Sequence, residues 1–159
     1  MTKYVSCNFD VNDEAECLEA VKKDGMNLRF INNQTFEICL EAVKEEPATL
    51  RYVKDQTEAI CLEAIKQDPW VLEYVNHQTE SICLAAVKQN GMTLKLVKNQ
   101  TEELCMLAVK QNKNVLHYVN NQTFDICCEA VKQDPDIIVY IRDKVMFERV
   151  AKAMHIEVA

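Results

Sequence analysis

Residues 56–77 read QTEAICLEAIKQDPWVLEYVNH, and the next 22 residues, 78–99, read QTESICLAAVKQNGMTLKLVKN. The two stretches align without a gap, and the same step relates the chain to itself from residue 13 to residue 144. A fixed internal period of this length is the signature of a repeat architecture, in which stacked units share a continuous core. Six 22-residue repeats therefore account for 132 of the 159 residues.

Each repeat contains two breaks. The first is a Gln-Thr pair, whose Thr is a good helix N-cap. The second is one column of Gly or Pro, most often preceded by Asp or Asn, which is typical of a turn. Both glycines and all three prolines of the chain fall in this column, which contains Gly25, Pro47, Pro69, Gly91 and Pro135, with Lys113 as the exception.

Between the breaks lie a longer and a shorter segment. The longer one, such as residues 57–67, has apolar residues at Ile60, Cys61, Ala64 and Ile65, which form one face of a helix. The shorter one, such as residues 70–75, has room for one or two turns. We therefore predict an all-α fold: an α-solenoid of six 22-residue helix-turn-helix repeats, with a seventh partial repeat as the C-terminal cap.

The predicted organisation is a single domain with caps at both ends. Residues 1–12 form the N-terminal cap, residues 13–144 the six repeats, and residues 145–159 the capping helix. Asp143 takes the N-cap position of this last helix, and Met154, Ile156 and Val158 fold back on the final unit. Polar Glu16 and Glu148 replace apolar residues in the first and last repeats, as terminal units of a solenoid require.

Two other architectures with a 22-residue period fit less well. A continuous amphipathic helix of the exchangeable apolipoprotein type would place the Gln-Thr pair in the middle of its apolar arc and bury two polar groups per repeat. A leucine-rich-repeat horseshoe, with the shorter segment as a strand, lacks its Leu-x-x-Leu-x-Leu-x-x-Asn signature. Both are kept as minor alternatives.

Three further columns predict packing and hydrogen bonding. The cysteines have no Cys-x-x-Cys spacing and no histidine beside them, so we interpret their column as core packing and not as a metal site. The adjacent Cys127 and Cys128, together with Cys7, are the thiols most expected to react. The glutamines are predicted to bond loop backbone between stacked units. The lysines are predicted to pair with a mostly Glu column three residues earlier, which contains Glu19, Glu41, Glu63 and Glu129. These columns contain Cys17, Cys39, Cys61, Cys83, Cys105 and Cys127; Gln34, Gln56, Gln78, Gln100 and Gln122; and Lys22, Lys44, Lys66, Lys88, Lys110 and Lys132.

Composition and charge exclude several function classes. With 25 acidic against 18 basic residues, the net charge is −7, which disfavours a general nucleic-acid binder. A modular single-stranded nucleic-acid binder stays an alternative, although its stacking aromatics would have to come from a column that we interpret as core. That column contains Phe30, Tyr52, Tyr74, Leu96, Tyr118 and Tyr140.

Catalytic and targeting signals are not found in the sequence. The three histidines stand in different columns, so we predict no enzymatic activity, no catalytic residue, no metal and no cofactor. Neither a secretory signal nor an apolar run of membrane-spanning length is present, and no lipidation motif is seen. The expected location is the cytoplasm, or the host cytosol for a viral protein or an effector, with no membrane partner.

Function in a repeat scaffold is expected where the columns vary. Two columns of the shorter segment vary most, and the first places the single Trp between methionines. We predict a docking patch for another protein there; a structural or self-assembling array is a further alternative. The predicted partner-binding residues are Met26, Trp70, Met92, Arg29, Arg51, Glu73, Lys95 and His117.

Repeats of the form Asn-Gln-Thr-x-x-Ile-Cys-Leu-x-Ala-Val-Lys-Gln-Asp/Asn-Pro/Gly-x-x-Leu-x-Tyr-Val, from residue 13 to about residue 152, resemble the short helical arrays known as domain of unknown function 4116. The resemblance implies an α-helical repeat and a viral or bacterial source, since such arrays are frequent in giant viruses and intracellular bacteria. The family has no established activity, so the resemblance assigns no functional residue.

Overall fold

A computed structural model of the chain describes residues 9–157. Helices account for 71% of these residues, and none of them is in a strand. Ten-residue α-helices alternate with six-residue 3₁₀ helices, one pair per 22 residues, which confirms the predicted all-α repeat fold. The α-helices are α1 (Glu14–Lys23), α2 (Phe36–Glu45), α3 (Glu58–Gln67), α4 (Glu80–Gln89), α5 (Glu102–Gln111), α6 (Phe124–Gln133) and α7 (Lys144–Ala153). The 3₁₀ helices are η1 (Gly25–Phe30), η2 (Pro47–Tyr52), η3 (Pro69–Tyr74), η4 (Gly91–Leu96), η5 (Lys113–Tyr118) and η6 (Pro135–Tyr140).

The two predicted breaks set the ends of these helices. The hydroxyl of Thr57 caps α3 by accepting from the backbone N–H of Ile60 at 3.4 Å. At the other end, the N–H of Asp68 donates to the Ala64 carbonyl at 3.0 Å, and the Asp68 carboxylate accepts from the N–H of Trp70 at 2.9 Å. One residue thus ends the α-helix and caps the 3₁₀ helix, so the two are joined without a linker.

The chain forms two compact units, Met1–Ile82 and Cys83–Ala159. In the first unit α1 packs on α2 and α2 on α3, while η1 contacts η2 and η2 contacts η3. In the second unit α5 packs on α6 and α6 on α7, while η4 contacts η5 and η5 contacts η6. The boundary between the units falls within α4. Each unit therefore has sequentially stacked α-helices and sequentially stacked 3₁₀ helices; the single-domain organisation stays a prediction.

The predicted glutamine column bonds successive repeats to each other. The side-chain N–H groups of Gln56 donate to the carbonyls of Leu50 and Tyr74, both at 2.9 Å, and its carbonyl accepts from the N–H of Asn76 at 2.8 Å. Leu50 belongs to the same repeat, whereas Tyr74 and Asn76 belong to the next. We call this arrangement the glutamine ladder. Equivalent bonds to the following repeat are made by Gln34, Gln100 and Gln122.

A second set of glutamines, which the sequence analysis did not single out, bonds in the opposite direction. The side-chain amide of Gln67, at the end of α3, donates to the Val43 carbonyl in the preceding helix at 2.9 Å. Gln111 and Gln133 make the equivalent bonds to residues 24 positions earlier. Each of these side chains satisfies a carbonyl in the last turn of the helix before it, where the helix has no donor of its own.

The two glycines of the turn column lie close to the backbone of the following α-helix. A Cβ atom placed on Gly25 would lie 2.6 Å from the Ala42 carbonyl oxygen, and one on Gly91 would lie 2.9 Å from that of Ala108. Such distances are shorter than van der Waals contact. At these two positions the turn column therefore serves packing against the next helix as well as helix termination.

Three of the predicted ion pairs between a lysine and the glutamate three residues earlier are present on the α-helices. Lys22, Lys44 and Lys66 lie 3.5, 2.7 and 3.8 Å from glutamates three residues earlier. The three lysine side chains are exposed, so each pair contributes at most about 1 kcal/mol to stability.

The C-terminal capping helix is confirmed. The Asp143 carboxylate accepts from the Met146 N–H at 2.7 Å, and α7 begins at residue 144, one residue before the predicted boundary. His155 has a positive φ of 55°, and the Ile156 N–H returns to the Ala151 carbonyl at 2.9 Å, which closes the helix. Met154 and Ile156 are half-buried there, and Val158 lies outside the described residues.

The cysteine column lies in the core, as predicted. All seven cysteines in the described part of the chain are buried, and none of them forms a disulfide. Burial, with a smaller contribution from Asp55, raises the pKa of the Cys39 thiol to about 11. Burial also raises the pKa values of Cys127 and Cys128, which does not favour their predicted reactivity; Cys7 lies outside the described residues.

We predict that Gln56→Met lowers the free energy of unfolding by about 2–4 kcal/mol, because three backbone groups lose a partner. Urea unfolding followed by circular dichroism measures the change. His77→Met, at an exposed position in the equivalent turn of the next repeat, is the matched control and should change the value by less than about 0.5 kcal/mol. Equal effects of the two substitutions would show that the ladder does not stabilise the fold.

We also predict that the cysteine column resists alkylation in the folded protein. A Cys7→Ser variant treated with iodoacetamide near pH 8.5 should stay unmodified, whereas the same variant in urea should react at all seven remaining cysteines. Because the folded-state pKa of Cys39 is about 11, against 9.0 for an ordinary thiol, its protection should be lost only as the pH rises towards 11. Rapid modification of Cys39 in the folded protein, read by mass spectrometry, would contradict this.

Candidate functional site

The 3₁₀ helices present one surface of each repeat to solvent. In η3, Val71 and Leu72 are buried, as is Val75 just after it, so the remaining side chains point outward or lie along the surface. Three columns form this surface, which we call the 3₁₀ face. The first contains Met26, Ala48, Trp70, Met92, Asn114 and Asp136; the second contains Arg29, Arg51, Glu73, Lys95, His117 and Val139; the third contains Phe30, Tyr52, Tyr74, Leu96, Tyr118 and Tyr140.

The eight residues predicted to bind a partner all reach this face. The second column is exposed in every repeat, and Val139 is 71% exposed. The first column is half-buried at Met26, Trp70 and Met92. The variable positions therefore lie at the surface, and the constant positions of the same helices lie beneath them.

The interpretation of the third column as core is wrong. Its members are half-buried in five repeats, and Tyr140 is 45% exposed. A 3₁₀ helix has three residues per turn, so Tyr74 shares its side with Val71 and not with Leu72 or Val75. Val71 is buried but Tyr74 is half-buried, so this side of η3 passes from the core to the surface towards the end of the helix. The aromatic rings consequently line the 3₁₀ face beside the variable second column.

In the first unit, arginines of the second column stack on these rings. The Arg29 guanidinium carbon lies 4.5 Å from the centre of the Phe30 ring. That of Arg51 lies 5.0 Å from the Tyr52 ring and 5.6 Å from the Tyr74 ring, so Arg51 bridges two successive repeats. The neighbouring Glu73 carboxylate raises the pKa of Tyr74.

In the second unit, His117 takes the position that Arg51 has in the first. Its ring meets Tyr118 and Tyr140 edge-on, with centroids 5.2 and 5.6 Å apart. A cleft of about 240 Å³ is lined by His117, both tyrosines, Met92 and Asn114. The second-column residue again lies between the aromatic rings of its own repeat and of the next.

The predicted site residues are thus brought together in two groups, one in each unit. Met26, Arg29, Arg51, Trp70 and Glu73 belong to the first unit, and Met92, Lys95 and His117 to the second. The tyrosines that stack with them were missed as site residues. The sequence feature that could have identified these tyrosines is their position, since each directly follows a residue of the variable second column.

The chemistry of the 3₁₀ face is that of recognition. Guanidinium stacking leaves N–H edges for carboxylates or other acceptors, and aromatic rings offer apolar contact with little loss of side-chain entropy. Among residues 9–157 no group of three or more His, Cys, Asp or Glu is arranged to hold a metal ion. Within the same range, no helix has the length and apolar character needed to cross a membrane.

The two units differ in charge. Residues 9–82 carry 16 acidic and seven basic residues, whereas residues 83–157 carry nine acidic and ten basic residues. The acidity of the whole chain therefore lies in the first unit, the same unit in which Arg29 and Arg51 face outward.

One family model matches the chain, and its description is domain of unknown function (DUF4116). It matches residues 57–101, 79–123 and 101–146, three overlapping segments that start at the helix caps Thr57, Thr79 and Thr101. Each match therefore spans two of the 22-residue repeats, and successive matches start one repeat further along the chain. No curated protein and no solved structure matches the chain. Because the matched segments cover residues 57–146, more than half of its length, the chain belongs to the DUF4116 family.

Proposed function

We propose that the protein is a non-enzymatic repeat scaffold that binds another protein through its 3₁₀ face. The observation that carries this proposal is the second column, which is exposed in every repeat and changes from Arg to Glu, Lys, His and Val. Two buried columns beneath it hardly change, since one contains only Leu and Ile, from Leu28 to Ile138, and the other only Ile and Val, from Ile31 to Ile141. A constant core under a variable exposed face is how repeat scaffolds present a binding surface.

The residue types on this face support a protein partner. Trp, Tyr and Arg dominate the residues whose truncation weakens protein–protein binding most. Here Arg51 is held against two tyrosine rings before any partner arrives. Such preorganisation lowers the entropy lost on binding. A reducing compartment such as the cytoplasm suits the scaffold, because none of its seven described cysteines forms a disulfide.

A single-stranded nucleic acid is the second candidate partner, and one observation favours it. The half-exposed aromatic column, with arginine or histidine between its rings, resembles the stacking platforms on which unpaired bases bind. The excess of acidic residues in the first unit opposes binding of a polyanion, since such binding depends on neutralising several phosphates. A protein partner is therefore the leading proposal.

We predict that peptides selected from a random display library by the full chain depend on the 3₁₀ face. Trp70→Ala and Arg51→Glu should each weaken binding of a selected peptide more than about tenfold, as expected for central interface residues. Fluorescence anisotropy of the labelled peptide measures the affinity. Lys66→Gln, on the outer side of α3 with its side chain 75% exposed, is the matched control and should leave binding unchanged.

Two outcomes would count against the proposal. Peptides whose affinity is unchanged by both variants would place the binding site elsewhere. Tight binding of a random single-stranded RNA that falls steeply between low and physiological salt, and that is lost in Arg51→Glu, would instead support the nucleic-acid candidate.

A further inference from the structure

We infer that the first unit binds an acidic segment of its partner, with two carboxylates three residues apart seated on Arg29 and Arg51. The inference rests on the proposed function, because it names the chemistry of the partner for the same face. It commits to an extended protein segment as the occupant.

The two arginines are arranged to donate hydrogen bonds to carboxylates. Each is exposed, each stacks on an aromatic ring of its own repeat, and neither pairs with a carboxylate within residues 9–157. Stacking fixes the guanidinium plane and leaves its N–H edge available for two parallel bonds to one carboxylate. Arg51 also hydrogen-bonds the Tyr74 hydroxyl, so part of its donor set is used within the protein and its other N–H groups stay available. An oriented guanidinium without a carboxylate partner at the same position of two successive repeats indicates a ligand that carries acceptors at a matching interval.

The repeat spacing sets that interval. Packed helices lie about 8–10 Å apart, so equivalent side chains of η1 and η2 are separated by about this distance. An extended segment in the polyproline II conformation rises about 3.1 Å per residue with three residues per turn. Its residues i and i+3 therefore lie on one side, about 9 Å apart, which matches one step of the array.

The third repeat limits the length of the acidic segment. There Glu73 occupies the position of the arginines, so a third carboxylate at i+6 would be repelled and a lysine would be attracted. The surrounding unit, with 16 acidic against seven basic residues, also disfavours a long polyanion. The pattern that fits η1, η2 and η3 in order is acidic, acidic, basic at three-residue intervals.

The test uses fluorescein-labelled, proline-rich peptides and the full chain. One probe carries Glu, Glu and Lys at three-residue intervals, a second carries the same residues in reverse order, a third has Gln for both Glu, and a fourth has Glu in place of Lys. Either the Glu-Glu-Lys peptide or the peptide of reversed order should bind at least about tenfold more tightly than the Gln peptide. The same peptide should also bind more tightly than the all-Glu peptide. Arg29→Gln and Arg51→Gln should each remove most of that preference, whereas Lys66→Gln should keep it, with circular dichroism confirming that each variant is folded.

Several outcomes would overturn the inference. These are equal affinity for the Glu and Gln peptides, tighter binding of the all-Glu peptide, or arginine variants that bind like the parent chain. Displacement of the probe by single-stranded oligonucleotide at lower concentration than by unlabelled peptide would assign the arginines to nucleic acid. If library peptides still depend on Trp70 and Arg51 while the acidic preference is absent, the proposed function stands and only this partner chemistry fails.

Discussion

The amide of one glutamine per repeat satisfies backbone groups of two successive 3₁₀ helices, and the stacking of repeats depends on this bond set. A 3₁₀ helix of six residues leaves carbonyls at its end without a full set of partners: the Leu50 carbonyl accepts from the Val53 N–H alone within its own segment. Gln56 supplies donors to Leu50 and Tyr74 and an acceptor to Asn76, so the end of η2 is joined to the end of η3. Only asparagine and glutamine provide two donors and an acceptor on one planar group, and asparagine is one methylene shorter, so glutamine is the side chain that carries these groups across to the next repeat.

This constraint explains the division of each repeat into constant and variable columns. The ladder, the helix caps and the buried Cys and Ala columns occupy the positions that set the distance between neighbours. The outward-facing positions of the 3₁₀ helices do not set the distance between neighbouring repeats, and their residues vary. At Arg51 and His117 the side chain lies between aromatic rings of adjacent repeats, so a regular scaffold presents a different chemical surface at different steps.

Most of the fold could be predicted from the sequence because its determinants are local and repeated. Thr57 and Asp68 cap helices through bonds to residues two or three positions away, and the period shows them several times over. The aromatic column could not be assigned in this way. An apolar column has the same appearance in core and surface, and the three-residue turn of the 3₁₀ helix places Tyr74 on the side of Val71, which is buried. The bond from Gln67 to Val43 was missed because a polar residue at a helix end is equally compatible with solvent.

Native-state hydrogen exchange of the full chain tests the ladder most directly. The backbone N–H groups of Lys54, Asn76, Asn120 and Arg142 belong to exposed residues, yet each donates to a ladder glutamine. They should exchange as slowly as the amides in the middle of the neighbouring α-helices, while the amides of Asn33 and His77 in equivalent turns exchange freely. If the four amides exchange as fast as Asn33 and His77, the glutamine ladder does not hold the repeats together.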